Sequence, residues 1–179
     1  MQPSIIQLDL QKVIKQNIIW TVIVSMMLVS LNFVLQPQKP EFSFGSIMLS
    51  IILFGCYYVL LIVLHEAFHL LGFVLFGRAP IRSLSYGIDL EKGIAYATTT
   101  ERISNAAMKK ALLLPFWTTG VMPTLIGFWL NNYTIILVGA FLIAGAVGDF
   151  AMYKELRKFP NDAQIEDDPK EPKLYVYEK

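Results

Sequence analysis

The sequence predicts an all-α integral membrane fold, four transmembrane helices with a β-hairpin in one connecting loop, and three observations predict it. Hydrophobic residues make up 55% of the 179-residue chain and charged residues only 16%, which is too apolar for an ordinary soluble domain or a disordered chain. Four stretches, about 18–35, 47–76, 111–130 and 133–153, are long and apolar enough to cross a 30 Å hydrocarbon core. With four spans, 14 of the 15 lysines and arginines fall on one side and only Lys39 on the other. Basic residues accumulate in cytoplasmic loops, so the same asymmetry predicts a multi-pass cell-membrane protein with both termini cytoplasmic.

Taken in order, Ile6, Leu10, Val13 and Ile14 recur at helical spacing with Lys12 and Lys15 between them, the pattern of an interfacial helix. The first span carries no charge from Ile18 to Leu35; it exceeds the apolar core of a signal peptide and no small-residue cleavage site follows, so it reads as a retained helix. The second span contains the lone cysteine, Cys56, and a single thiol rules out an intrachain disulfide or a CxxC site. After it, Ile81 to Tyr96 alternates enough to read as a hairpin, with a turn at Glu91-Lys92-Gly93. That hairpin is either a surface connector or an edge strand able to hold an extended substrate. Thr98 and Glu101 make a capping-box pattern that predicts a short helix leading into the third span. Asn131-Asn132 is the only break between the third and fourth spans, which must therefore form an antiparallel hairpin. These spans belong to a unit of residues 1–158, and residues 159–179 form an acidic, proline-containing tail that reads as solvated. Within the tail, Leu174-Tyr175-Val176-Tyr177 has strand propensity and is either disordered or paired with the hairpin edge.

The chain has two histidines, and both lie in His65-Glu66-Ala67-Phe68-His69, inside the second span. Residues four apart on a helix are separated by only about 40° around its axis, so His65 and His69 can offer two imidazole nitrogens to one Zn²⁺. Glu66 falls beside them, placed to act as general base toward an attacking water. Each ionisable side chain in hydrocarbon costs about 2.5 kcal/mol or more, so three adjacent ones call for a shared partner, and a metal supplies it.

A tetrahedral site needs a third protein ligand. Outside the motif, the only carboxylate within a span is Asp149, whose depth differs from that of His69 by about 5 Å when both are counted from the helix ends. Asp149 is either that ligand or a residue exposed near the interface. The small residues Gly139-Ala140, Ala144-Gly145-Ala146 and Gly148 predict close helix packing that would bring Asp149 to the metal. Thr118 and Thr119 are polar groups at similar depth; each is either an oxyanion donor or bonded to its own i−4 carbonyl. Tyr58 shares the histidine face two turns away and reads as packing.

The HExxH motif in a membrane helix, Gly72-Phe73, Phe76-Gly77, the strand-like loop, Pro115 and Gly148-Asp149 together resemble a bacterial family of small polytopic proteins, the putative zincin peptidases. They are also distantly similar to the site-two proteases, intramembrane zinc enzymes. The resemblance spans roughly residues 45–155 and implies His65, His69 and Asp149 as zinc ligands with Glu66 as catalytic base. One departure is that Gly145-Ala146-Val147-Gly148 stands where site-two proteases carry Asn and Pro before the Asp.

These readings predict a zinc-dependent intramembrane metallopeptidase acting on a protein or peptide near the cytoplasmic membrane face. An ion or metal transporter, or a catalytically silent zinc-bound scaffold, are the alternatives. A net charge of +1 without a basic stripe excludes nucleic acid as a partner.

Overall fold

The structure is a computed structural model describing residues 2–37, 40, 43–89, 94–168 and 171–178. Among these, four helices are long and apolar enough to cross a membrane, Leu10–Leu35, Phe44–Gly77, Asn105–Trp129 and Tyr133–Leu156. The first is α1, Leu10–Leu35, begun by Asp9, whose carboxylate accepts the Lys12 N–H. The second is α2, Phe44–Gly77, begun by a reciprocal Ser43/Ser46 capping box and closed by Arg78 in the left-handed conformation. The third is compound. α3, Asn105–Pro115, runs into a π-helical turn, Phe116–Val121, and then α4, Met122–Trp129. Proline at 115 removes one i→i−4 bond, and the turn that follows is wound wider, a feature frequent at functional sites. The fourth breaks at Ala146 into α5, Tyr133–Gly145, and α6, Val147–Leu156.

The hairpin expected from Ile81 to Tyr96 is present but shifted along the chain: Ile81–Ser83 forms a 3-10 turn, and β2, Leu84–Asp89, pairs antiparallel with β3, Ile94–Thr99, from Leu84 with Thr99 to Asp89 with Ile94. Its Glu91-Lys92-Gly93 turn, like Lys39 in the count of basic residues, lies outside the described residues. The Asn131-Asn132 turn is also present, with Asn131 left-handed and Asn132 capping α5.

Four expectations are corrected. No helix starts at Thr98. Thr98 and Thr99 finish β3, a two-residue strand β4, Ile103–Ser104, follows, and Ser104 caps α3 by accepting the Ala107 N–H. No separate interfacial helix precedes the first span, because Ile6 lies in strand β1, Ser4–Gln7, and Leu10 already begins the long helix. The tail is not merely solvated. It forms β5, Gln164–Asp167, and β6, Lys173–Tyr177, in an antiparallel sheet of order β1-β6-β5-β4, so its last strand pairs with the N-terminal strand and with β5 instead of the hairpin. Finally, Gly145 and Gly148 do not mediate close packing: a Cβ on Gly145 would meet nothing within 4 Å, and one on Gly148 only Val13 at 3.7 Å. Of the small residues expected to pack closely, Gly139 does so, against Thr124, and a further close approach is that of Gly72 to Ala111.

The buried core sits where the sheet meets the helix ends. Ile6, Ile165, Leu174 and Val176 of the strands pack with Phe73, Met108, Ala111, Met152 and Leu156 of the helices. Asn105, fully buried, fastens this junction: its Nδ2 lies 2.9, 3.0 and 2.9 Å from the carbonyls of Leu156, Phe159 and Pro160, which share its two N–H groups. Away from the sheet, α1 and α2 turn Ile, Leu, Val, Met and Phe side chains outward along most of their length. An apolar surface of that extent is larger than soluble monomers ordinarily expose. Within it, Asn32 is wholly buried and donates to Asn131 Oδ1 at 2.8 Å, tying α1 to the far turn. Cys56 is exposed among the apolar residues of α2, and Tyr58 stacks on Phe54 and meets the edge of Phe141, as expected of a packing residue.

Candidate metal centre

His65 and His69 project from one face of α2 with ring centroids 5.0 Å apart, and both are buried. Each Nδ1 is fixed from outside. His69 Nδ1 lies 3.1 Å from the Ala111 carbonyl, which can only accept, so this nitrogen carries the proton. The carbonyl is available because the residue four further on, Pro115, has no N–H to claim it. Close contact of the two helices is also required. Gly72 allows it, since a Cβ there would stand 2.7 Å from Ala111 Cα. His65 Nδ1 lies 3.1 Å from Thr119 Oγ1. The Thr119 hydroxyl spends its own proton on the Pro115 carbonyl at 2.8 Å, so it accepts from His65.

With both Nδ1 atoms acting as donors, each neutral ring presents an unprotonated Nε2. The two Nε2 atoms converge on Asp149, His65 on Oδ2 at 3.3 Å and His69 on Oδ1 at 3.4 Å. Asp149 is in the first turn of α6, just past the break at Ala146, with its side chain mostly buried. The sequence expectation that it lies at the depth of the histidines therefore matches its position. Acceptor atoms facing one another are unfavourable unless a proton or a cation stands between them, and a divalent cation held by all three groups would fill that role. Two imidazoles and a carboxylate form a donor set suited to zinc, so the residues fit the metal.

Glu66 points into the same cleft, a cavity of about 810 Å³ whose walls include His65, Glu66, His69, Asp149, Thr98 of β3 and Asp167 of β5. Ligand atoms of His65, Glu66 and His69 all lie within 4.8 Å of one another. A family model described as putative zincin peptidase matches residues 58–164, more than half of the chain. The protein belongs to that family. The matched region holds both histidines, Glu66, Thr119 and Asp149, whereas Asp167 of the cleft wall lies beyond its end. No curated protein and no solved structure matches the chain, and the likeness to site-two proteases rests on the sequence motifs alone.

Neither threonine is free to serve as an oxyanion donor. Thr118 Oγ1 donates to the Leu114 carbonyl at 3.0 Å and Thr119 Oγ1 to that of Pro115, the i−4 pattern weighed from sequence. What the sequence reading missed is the second bond of Thr119, to His65, and the use of the Ala111 carbonyl by His69. The second had a visible signal. A proline inside a helix frees the carbonyl four residues before it, and that residue is Ala111.

Proposed function

We propose that this protein is a zinc-dependent intramembrane metallopeptidase that hydrolyses a peptide bond of a protein or peptide substrate near the cytoplasmic face of the cell membrane. The observation that carries the reading is the convergence of His65 Nε2, His69 Nε2 and the Asp149 carboxylate beside Glu66, inside a chain of the zincin peptidase family. Four helices fit for a bilayer support the membrane setting. Strands β1 and β6 join the two termini beside the site, at the end where the basic residues collect, which supports a cytoplasmic location for both.

His65, His69 and Asp149 would hold the metal, with Thr119 and the Ala111 carbonyl keeping the two rings in the ligating tautomer. Bound zinc supplies Lewis acidity, which polarises a scissile carbonyl and eases ionisation of water. Glu66 accepts the proton of the attacking water and passes it to the leaving amine. The apolar walls of the cleft, Phe73, Met108 and Met152 among them, limit the access of bulk water to that exchange.

The test compares the wild type with Glu66→Gln in reconstituted bilayers. Both forms should carry about one zinc per chain, and His65→Ala or His69→Ala should lose it. Cleavage of peptide substrates should fall at least about 10²- to 10⁴-fold in Glu66→Gln. Equal cleavage by both forms would remove Glu66 from the mechanism. A zinc-loaded wild type that cleaves nothing would favour the scaffold, and proton or metal flux through the bilayer would favour the transporter.

A further inference from the structure

Asp167 occupies a position at which a strand normally carries an apolar residue. Alternation along β5 puts Ile165, fully buried, and Asp167 on the inner face and Glu166 on the outer one, where Glu166 pairs with Arg102. Directly opposite Asp167 on β6 is Leu174, itself buried. The carboxylate lines the cleft that holds His65, Glu66, His69 and Asp149, near enough to His69 for their charges to interact, and faces buried Thr98 on β3.

Its acidic neighbours are otherwise engaged. Asp168 accepts from the Tyr175 hydroxyl at 3.0 Å and from the Glu171 N–H at 3.1 Å, and Glu171 pairs with Lys173 at 2.6 Å. Among the described residues Asp167 makes no ion pair. A mostly enclosed carboxylate without a cation is costly, and burial holds its carboxyl up to about 7. A cation arriving from outside would remove that cost.

We propose that Asp167 is a specificity-determining residue that receives a lysine or arginine side chain of the bound substrate, on the soluble side of the bond to be cut. The inference rests on the peptidase reading for its meaning, since the cleft must hold a peptide. Geometry sets the direction: the metal centre lies among the helices, whereas Asp167 belongs to the sheet beyond their ends, so a chain leaving the site toward water passes it. Segments that span a membrane carry lysine and arginine at their cytoplasmic flank, the chemistry this carboxylate would recognise. Glu66 and Asp149 cannot supply this preference, because their roles hold them at the reacting centre.

The experiment uses the full-length, zinc-loaded protein in lipid nanodiscs and alanine–leucine membrane peptides with one lysine placed at successive positions beyond the apolar stretch. Matched peptides carry norleucine or glutamate there. Binding is measured on Glu66→Gln protein, and cleavage on protein with Glu66 intact. At one position lysine should bind at least about ten-fold tighter than norleucine, the size of one charge-assisted hydrogen bond. Asp167→Asn should erase that preference through KM with kcat little changed, Asp167→Glu should retain it, and Asp167→Lys should turn it toward glutamate. Equal binding of lysine and norleucine peptides at every position, or a lysine preference that survives in folded Asp167→Asn, would overturn the proposal. A lysine preference in binding with no cleavage by protein carrying Glu66 would refute the peptidase reading and leave the cation subsite standing.

Discussion

Replacing Thr119 by valine tests whether the helix after Pro115 holds the metal centre in order. Valine keeps the shape of threonine and removes only the oxygen that lies 3.1 Å from His65 Nδ1. Thr119 is 1% and His65 8% exposed, so water cannot take the place of that oxygen. Leaving a buried N–H unpaired costs about 1–3 kcal/mol. The ring escapes this cost by moving its proton to Nε2, where it can donate to Asp149, and in that tautomer Nε2 no longer ligates. Either way the energy appears as lost metal affinity, roughly ten- to hundred-fold, the usual effect of losing a group that orients a ligand. Competition with a chromophoric chelator at neutral pH measures it, with circular dichroism to verify the helices. Thr119→Ser restores the acceptor and should restore the affinity. Zinc bound by folded Thr119→Val within about two-fold of wild type would refute the reasoning.

Other outcomes follow from the same contacts. Gly72→Ala places a methyl group 2.7 Å from Ala111 Cα, so α2 and α3 must part; thermal unfolding in micelles should show a loss of about 1–3 kcal/mol, with weakened zinc binding as the His69 bond to Ala111 stretches. Asn105→Ala leaves the carbonyls of Leu156, Phe159 and Pro160 without their buried donor and should cost about 2–3 kcal/mol in the same assay, whereas an unchanged melting point would mean that water replaces the amide. In the zinc-free protein, burial pushes the Asp167 carboxyl up to about 7 from the ordinary carboxylate value of 3.8. Its folded form therefore holds the proton more tightly, and its stability contribution is greatest below about pH 4, declines up to about pH 7 and is flat above. The decline should be on the order of 2 kcal/mol, allowing for partial exposure, and Asp167→Asn should abolish that part of the pH profile.

The sequence by itself determined the four apolar helices, the tight turn at Asn131-Asn132, the hairpin after the second helix and the HExxH face. Each of these is written in neighbouring residues: a run of apolar side chains, a pair of asparagines, an alternation, an i, i+4 spacing. It also narrowed the third acidic group to Asp149, because carboxylates are costly in hydrocarbon and the spans contain only one beyond the motif. Helix starts at the site end were less legible, since a polar first turn such as Asn105 to Lys110 continues a helix that hydropathy alone begins later. Only the tertiary structure decided how the pieces meet. The tail reads as solvated because its charges outnumber its apolar residues, yet Ile165, Leu174 and Val176 are buried once β1 and the helix ends supply the other half of a core. The tautomer of each histidine depends on Ala111 and Thr119, 42 and 54 residues away, and on a glycine at the crossing of α2 and α3. Such contacts join residues with no local relation in the chain, so their partners emerge only when packing fixes which carbonyl, hydroxyl or carboxylate stands within bonding distance.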